Sequence, residues 1–474
     1  MTAKYTSVPR RIVVLGSAAV AVNAVLAACG NATSSSPTIS ASIGGGTSAS
    51  SPSVTSRMTA VTSAPPSVGM GAINRITIEY WNQNTDRLGG PAVAQLIKQF
   101  NDTNSAITVV QKTYPTDTEV VQALQTALAG KTQPAIVQVS FGYLRYVAGN
   151  LPHLTIDDAA KRDVQGKGTE WLSQNFAANI LDLGRVDSVL HGMPYGYSIP
   201  LIFYNPDLFK AAGLERPATT WADVRTQAQQ ITQRTGKTGI YVSESSAWIP
   251  EQILTESNGA QTLIGTGTDV RCGVDSPEAI EAIQLYADMV LKDKSSVHMP
   301  QQQGQTSFIS GQIGMYALQF TSNLESIRQF AAFSLGTAAI PTFGGKRRRL
   351  GVGGNTLFIL ATDPAQQTTA WEWIKYLNSP ESLTAYVKGS GFFPTRLHLS
   401  DDSKYLKPYF DGNQLLQPAL DEVTDVVPWV SFPGKNGLQV NQELIDARAK
   451  ILDGSDVTVT LRDVTQRANQ LIRG

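Results

Sequence analysis

The sequence has two cysteines, Cys29 and Cys272, in 474 residues. If Cys29 is used elsewhere, Cys272 has no partner, and a disulfide framework is excluded. The four histidines, His153, His191, His298 and His398, are scattered without metal-ligand spacing, so no metal and no other cofactor is expected. A G-x-S-x-G elbow, a P-loop and a dinucleotide fingerprint are all missing. An enzymatic reading then rests only on carboxylates such as Glu244, Glu251 and Glu256, of the kind a glycan-cleaving acid/base pair needs. Charge of one sign is lacking too: 38 basic side chains face 38 acidic ones, which argues against a nucleic-acid partner. No internal repeat of solenoid length is present.

What is there begins with an export pattern. Lys4, Arg10 and Arg11 precede an apolar stretch over residues 12–28, broken by Ser17 and Asn23. That stretch is too short and mixed to span a membrane and reads as a signal peptide, residues 1–28. It ends in Leu26-Ala27-Ala28-Cys29-Gly30, the pattern of a bacterial lipobox, in which the Cys29 sulfur accepts a diacylglyceryl group. Arg10-Arg11 leaves the general secretory and the twin-arginine routes both open. Residues 29–72 are then the lipidated cysteine and a Ser/Thr/Gly/Ala/Pro tether, too poor in large apolar side chains to offset its ordering entropy. The expected location is extracytoplasmic, lipid-anchored to the cell membrane. Cys272 becomes either a small buried apolar residue or a free thiol.

About 400 residues remain, enough for two domains. Ile76, Ile78 and Tyr80 alternate as in a strand. Val93, Leu96, Ile97 and Phe100 follow at helical spacing behind Pro91, then a strand near 107–110, a helix with Val121, Leu124 and Leu128, and a strand over 135–141. This β-α-β-α-β order implies a largely parallel sheet covered by helices, an α/β fold. Later helices start at Ser276-Pro277, Asp363-Pro364 and Ser379-Pro380, and a last one carries Leu461, Val464, Ala468 and Leu471. The basic run Lys346-Arg347-Arg348-Arg349 reads either as a solvated hairpin turn or as a contact for an anion or membrane.

An ordered series of segments carries a family resemblance. It comprises Ile76–Trp81, Gln133–Val139, His191–Tyr195 with Ile199–Asn205, Phe209–Leu214, Thr220-Trp221, Phe308–Met315, Asn378–Glu381 and Gly391–Arg396. The series resembles the family 1 extracellular solute-binding proteins of ABC importers from about residue 75 to the end. Within the family it looks most like glycerol-3-phosphate and glycerophosphodiester binders. The resemblance implies the two-lobe periplasmic-binding-protein fold with hinge crossovers and an interlobe ligand cleft. One lobe comprises residues 73–195 and 355–393, the other 196–354 and 394–474. It also implies delivery of a small polar ligand to the importer's membrane subunits, by a monomer held at the membrane through its lipid.

Sugars offer apolar C–H faces and hydroxyl edges, so a site for them combines aromatic rings with fixed polar groups. Candidates after the first strand are Asn82, Asp86 and Arg87, with Phe141 after the third. Tyr195, Tyr197 and Ser198 stand at the first crossover, and Trp248 faces them from the second lobe. Phe320, Ser322 and Asn323 form a helix-entry loop with free N–H groups. Gly353 and Gly354 allow close backbone approach, and Asn355, Phe392 and Arg396 complete the set. Other roles stay open: a surface ion pair for Asp86 and Arg87, hinge packing for the tyrosines, an N-cap for Ser322, a carboxylate partner for Arg396. An arginine that the glycerophosphate binders carry after a loop like Phe432-Pro433-Gly434 is replaced here by Gly437. Loss of a bidentate phosphate grip turns the expectation toward a neutral saccharide or polyol. An enzyme or a non-transport interaction lipoprotein on the same scaffold are the rivals.

Replacing Cys29 with Ser should abolish acylation and release the chain from the membrane fraction. Radiolabelled palmitate incorporation and fractionation check this; a labelled, membrane-bound variant would refute the lipobox reading.

Overall fold

A computed structural model describes residues 75–474, apart from the side chain of Arg87. The expected signal, Cys29 and the tether lie outside the described residues. Strand β1 (Ile76–Asn82) buries Ile78 and Tyr80 and exposes Thr77 and Glu79 between them. Helix α1 (Gly90–Thr103) has proline in its first turn and turns Val93, Leu96, Ile97 and Phe100 inward. β2 (Ile107–Thr113), α2 (Asp117–Ala129) and β3 (Ile136–Ser140) complete the opening unit. β1 pairs in parallel with both β2 and β3, as strands joined by helical crossovers do. Thr116 caps α2 by accepting the Glu119 N–H at 3.2 Å. The short α3 (Leu144–Asn150) follows β3.

The chain then crosses between two sheets. β4 (Met193–Ser198) and β5 (Pro200–Tyr204) are separated only by Ile199. α4 (Trp221–Thr235), β6 (Thr238–Val242), α5 (Ile249–Ser257), α6 (Pro277–Leu291), β7 (Ile313–Phe320) and β8 (Gly336–Ala338) build the second lobe. β9 (Leu350–Gly351) and β10 (Gly353–Ile359) carry the chain back. α7 (Pro364–Leu377) and α8 (Pro380–Ser390) pack on the first lobe, behind caps Asp363 and Ser379. The chain then passes over again through β11 (Val426–Val427) to α9 (Gly437–Leu452) and α10 (Val457–Arg473). The first sheet runs β2-β1-β3-β10-β4 and the second β8-β5-β7-β6, with β9 and β11 paired apart.

At the crossings the backbone is closely interlocked. Tyr197 and Phe393 exchange two main-chain hydrogen bonds, of 3.2 and 2.6 Å. The pairing of β10 with β4 shifts register between Gly354 and Asn355. Gly354 sits at φ +144°, where an added Cβ would lie 2.5 Å from the Gly196 carbonyl, so this position requires glycine.

Two details differ from, or decide between, the readings of the sequence. The basic run is not a free turn. Lys346 bonds the Asn258 carbonyl at 2.8 Å, Arg347 reaches Asp425 at 3.1 Å, Arg348 reaches Glu422 at 2.8 Å, and Arg349 reaches Glu256 at 3.3 Å. These contacts pin the segment that enters β9. Cys272 is buried in the second lobe with Ile283, Val440 and Leu461, and burial pushes its thiol pKa up to about 11.

In the first lobe His153 Nε2 and His191 Nδ1 lie 2.8 Å apart, so one shared proton joins the rings. Burial, and then the neighbouring His153, lower the pKa of His191. A lowered folded-state pKa gives stability that is present above the unfolded value near 6.5 and lost as pH falls through the folded value. The melting temperature of His191→Gln should therefore fall less steeply between pH 7 and 5 than that of the natural chain. Parallel curves from scanning calorimetry would refute this.

Candidate ligand-binding site

The C-terminal ends of β1, β2 and β3 open on one side of the first sheet, the usual place for a ligand crevice in an α/β sheet. Between them and the second lobe lies a cavity of about 820 Å³. Gln83, Thr85 and Leu88 line it from the turn after β1, Thr116, Asp117 and Thr118 from the start of α2, and Ser140, Gly142 and Tyr143 from the end of β3. The opposite wall has Ser246 and Ala247, the run from Trp429 to Phe432, and Gly437, Asn441 and Gln442 at the start of α9. Val440 and Phe432 pack into the second-lobe core, so this wall moves with that lobe.

Asp117 is the one charged side chain among the described residues that line the cavity. It accepts the Ser140 N–H at 3.0 Å, which ties the head of α2 to the tip of β3. Burial raises its pKa, opposed by the hydrogen bonds from Ser140 and Gln83. The Tyr143 hydroxyl meets Thr118 Oγ1 at 3.0 Å, which fixes an aromatic ring at the rim. Trp429 lies over the main chain of the first lobe: an added Cβ at Gly142 would be 2.9 Å from its ring. Beside it, the Arg145 N–H donates to Ser431 Oγ at 3.1 Å. Trp429, Val430 and Ser431 also line a second cavity of about 400 Å³, whose walls carry Arg145, Arg185 and Arg349. Trp429 therefore divides a nearly uncharged compartment from one bordered by arginines.

The residues singled out in the sequence fall mostly elsewhere. Tyr195 is buried and stacks on Tyr386 with centroids 4.3 Å apart, and Phe392 also stacks on Tyr386, at 5.9 Å. Tyr197 packs near Phe393, with centroids 5.9 Å apart. Ser198 Oγ lies 3.1 Å from Thr321 Oγ1 and accepts the Ser322 N–H at 2.9 Å. Ser322 is therefore inside the turn Thr321–Asn323 rather than its cap. The Asn323 amide donates to Gln319 Oε1 at 3.0 Å. The Phe320 ring approaches Gly353, Gly354 faces Tyr197, and the Asn355 amide reaches the Tyr386 hydroxyl at 3.4 Å. These residues are brought together at the lobe crossings, as hinge packing.

Others are turned away from the cavity. Asn82 is fully buried, and its Oδ1 accepts the Asn84 N–H at 3.0 Å. Phe141 points into the first core beneath Gly354. Trp248, placed at the cleft by its loop context, is 2% exposed and packs beside Cys272 in the second-lobe core. Asp86 is exposed in the turn Asp86–Leu88, and the side chain of Arg87 lies outside the described residues. Arg396 bonds the Asn378 carbonyl at 3.2 Å and the Asn175 side-chain oxygen; its partners are amide oxygens, not a carboxylate. Glu244 receives His298 Nδ1 at 2.8 Å, and Glu251 pairs with Arg448 at 3.2 Å, so both are engaged inside the lobe.

The lining is displaced by about one position. Gln83 replaces Asn82, Gly142 and Tyr143 replace Phe141, and Ser246 and Ala247 replace Trp248. Asn82 is the last residue of β1, and successive side chains leave a strand on opposite sides. Phe141 opens the turn Phe141–Tyr143 and Trp248 caps α5, and both rings are buried in the core. Trp429, just ahead of the Phe432-Pro433-Gly434 loop, stands on the cavity wall outside any periodic segment, and a tryptophan directly after Pro428 is its signal in the sequence.

Two α/β lobes, repeated chain crossings and a cleft at the strand ends define a binding protein of the two-lobe class. The chain belongs to the bacterial extracellular solute-binding protein family, whose sequence profile matches residues 84–383. It is similar to the sn-glycerol-3-phosphate-binding periplasmic protein UgpB of Agrobacterium fabrum, with 24% identity over 419 residues, 84% of this chain and 92% of the relative. UgpB of Rhizobium meliloti is also 24% identical, over 83% of this chain and 93% of its own length. Among solved structures, the cyclic alpha-maltosyl-1,6-maltose binding protein of Arthrobacter globiformis superposes with a TM-score of 0.72 at 19% identity, covering 84% of this chain and all of that one. UgpB of Mycobacterium tuberculosis, in complex with glycerophosphocholine, gives 0.70 at 19% identity, covering 84% and 99%. At this identity the superpositions speak to the fold.

Gly142→Ala should push the Trp429 ring off the β3 tip and cost about 1–3 kcal/mol of stability, as overpacking does. Denaturant unfolding and the near-ultraviolet dichroism of tryptophan read it out; an unchanged spectrum and midpoint would show that the ring yields freely.

Proposed function

We propose that this chain captures a neutral sugar or other small polyol between its lobes and delivers it to the membrane subunits of an ABC importer, held at the membrane as a monomer through lipid on Cys29. The observation that carries the ligand class is the lining of the 820 Å³ cavity. Tyr143 and Trp429 offer ring faces for C–H surfaces, while Gln83, Thr118, Asn441 and Gln442 offer donors and acceptors for hydroxyl edges. Asp117 adds a negative charge, and no described cation lines the cavity to grip a phosphate. Gly437 supports this reading, since a side chain there would bring its Cβ to 2.1 Å from the Phe432 carbonyl. An arginine at that position has no room in this loop. Ligand touching both walls favours the closed lobes, because only that form makes both sets of contacts. The importer would read the closed form, so the role is binding without turnover.

A glycerophosphodiester is the second reading. Arg145, Arg185 and Arg349 around the adjoining cavity favour it, as do the names of the curated relatives. Those arginines already face carboxylates: Arg185 lies 3.4 Å from Asp182, and Arg349 lies 3.3 Å from Glu256. A phosphate would have to compete for them.

A thermal-shift screen against mono- and disaccharides, amino sugars, polyols and glycerophosphodiesters separates the two. Ligand at one hundred times its Kd stabilises the folded state by about 2.7 kcal/mol. A shift with a neutral sugar, weakened but still measurable in Trp429→Ala, is expected. A shift confined to glycerophosphodiesters would overturn the neutral-sugar assignment, and one undiminished in Trp429→Ala would remove Trp429 from the site.

A further inference from the structure

Gln252 lies on α5, 1% exposed. Its Nε2 donates to the Pro428 carbonyl at 2.9 Å, and its Oε1 accepts the Val430 N–H at 2.9 Å. One side chain thus holds the main chain on both sides of Trp429, as donor before it and acceptor after it. The same amide lies flat on the strand that returns the chain to the first lobe. A Cβ at Gly351 would be 3.2 Å from its Cδ, Nε2 and Oε1 alike. That strand, β9, pairs in parallel with β11, Leu350 with Val426 and Gly351 with Val427, and Trp429 follows two residues later. Gln252 therefore fills the wedge between a lobe crossing and the loop that presents the tryptophan. In a buried setting both amide groups are costly to leave unmet, so the wedge admits little slack.

We propose that Gln252 is the positioning residue of the ligand cleft: it sets where Trp429 stands between the two cavities and couples that position to the crossing strand. The inference rests on Trp429 as the ligand platform proposed above. Lobe closure turns on the crossings, so it carries Trp429 with β9 instead of leaving it on a loose loop. Gln252 touches no ligand; it acts through Trp429. A glutamine that only fills space would make no such coupling.

Gln252→Met keeps length and volume and removes both hydrogen bonds. The full chain, labelled with 5-fluorotryptophan, gives one fluorine signal for each of its seven tryptophans, and Trp429→Phe identifies the relevant one. In Gln252→Met the Trp429 signal should shift and broaden while the other six stay in place. Calorimetric titration with maltotetraose should show affinity reduced by at least about tenfold, as expected from two lost hydrogen bonds. In a Trp429→Ala background the same change should cost nothing further, the mark of two residues acting as one. Gly351→Ala, which presses on the amide from its other face, should move the same signal and serves if Gln252→Met fails to fold. A Trp429 signal unmoved in either variant overturns the inference, and so does an equal loss of affinity in both backgrounds. If the natural chain binds no maltotetraose, that result counts against the saccharide reading, and the fluorine signal alone decides the role of Gln252.

Discussion

The hydroxyl of Ser198 holds the two lobes in register. It sits where β4 gives way to β5, meets Thr321 Oγ1 at 3.1 Å and receives the Ser322 N–H at 2.9 Å. Thr321 in turn accepts the Ile199 N–H at 3.2 Å. One residue away, Tyr197 and Phe393 exchange main-chain hydrogen bonds. The strand leaving the first sheet, the end of β7 and the segment after α8 are thereby joined at one point. The two sheets share one continuous apolar core, and this small polar knot lies at their crossing, where few groups must move for a lobe to turn. The stacked rings of Tyr195, Tyr386 and Phe392 give it a dry floor.

Much of the architecture was legible in the sequence because it rests on periodicity and capping. The spacing of Val93, Leu96, Ile97 and Phe100, and the caps at Ser276, Asp363 and Ser379, mark helices that the structure contains. The family resemblance, carried by ordered segments, agrees with the profile match. The lining of the cleft was less legible. Tyr195, Tyr197 and Trp248 are conspicuous in the sequence, yet they are large because they fill cores and hinges. The groups that face the cavity, such as Gln83 in a turn and Thr118 and Gln442 near the starts of α2 and α9, are small polar signals. Their orientation depends on where each strand or helix begins or ends, and periodicity does not locate those boundaries to one position.

The charges of the second lobe are arranged to stay out of the way. Arg448 meets Glu251 in the interior, and its Nη2 also donates to the Ser245 carbonyl at 3.0 Å. That bond supports the loop whose next residues, Ser246 and Ala247, form part of the cavity wall. Arg347 and Arg348 converge on Asp425, just ahead of the strand that leads to Trp429. Formal charge in this lobe thus fastens the loops, and the larger compartment is lined by rings, amides and hydroxyls with Asp117 of the first lobe as its one carboxyl group among the described residues.

Cys272 gives the molecule an internal clock for its second lobe. With its thiol buried and its pKa near 11, almost none of it is thiolate at neutral pH, and the thiolate is the reactive form. An exterior that oxidises exposed thiols leaves this one untouched while the lobe is packed. A thiol reagent can reach it only during the moments when α6, α9 and α10 part. The pace of its modification therefore measures how often that half of the protein breathes, separately from any hinge motion between the halves.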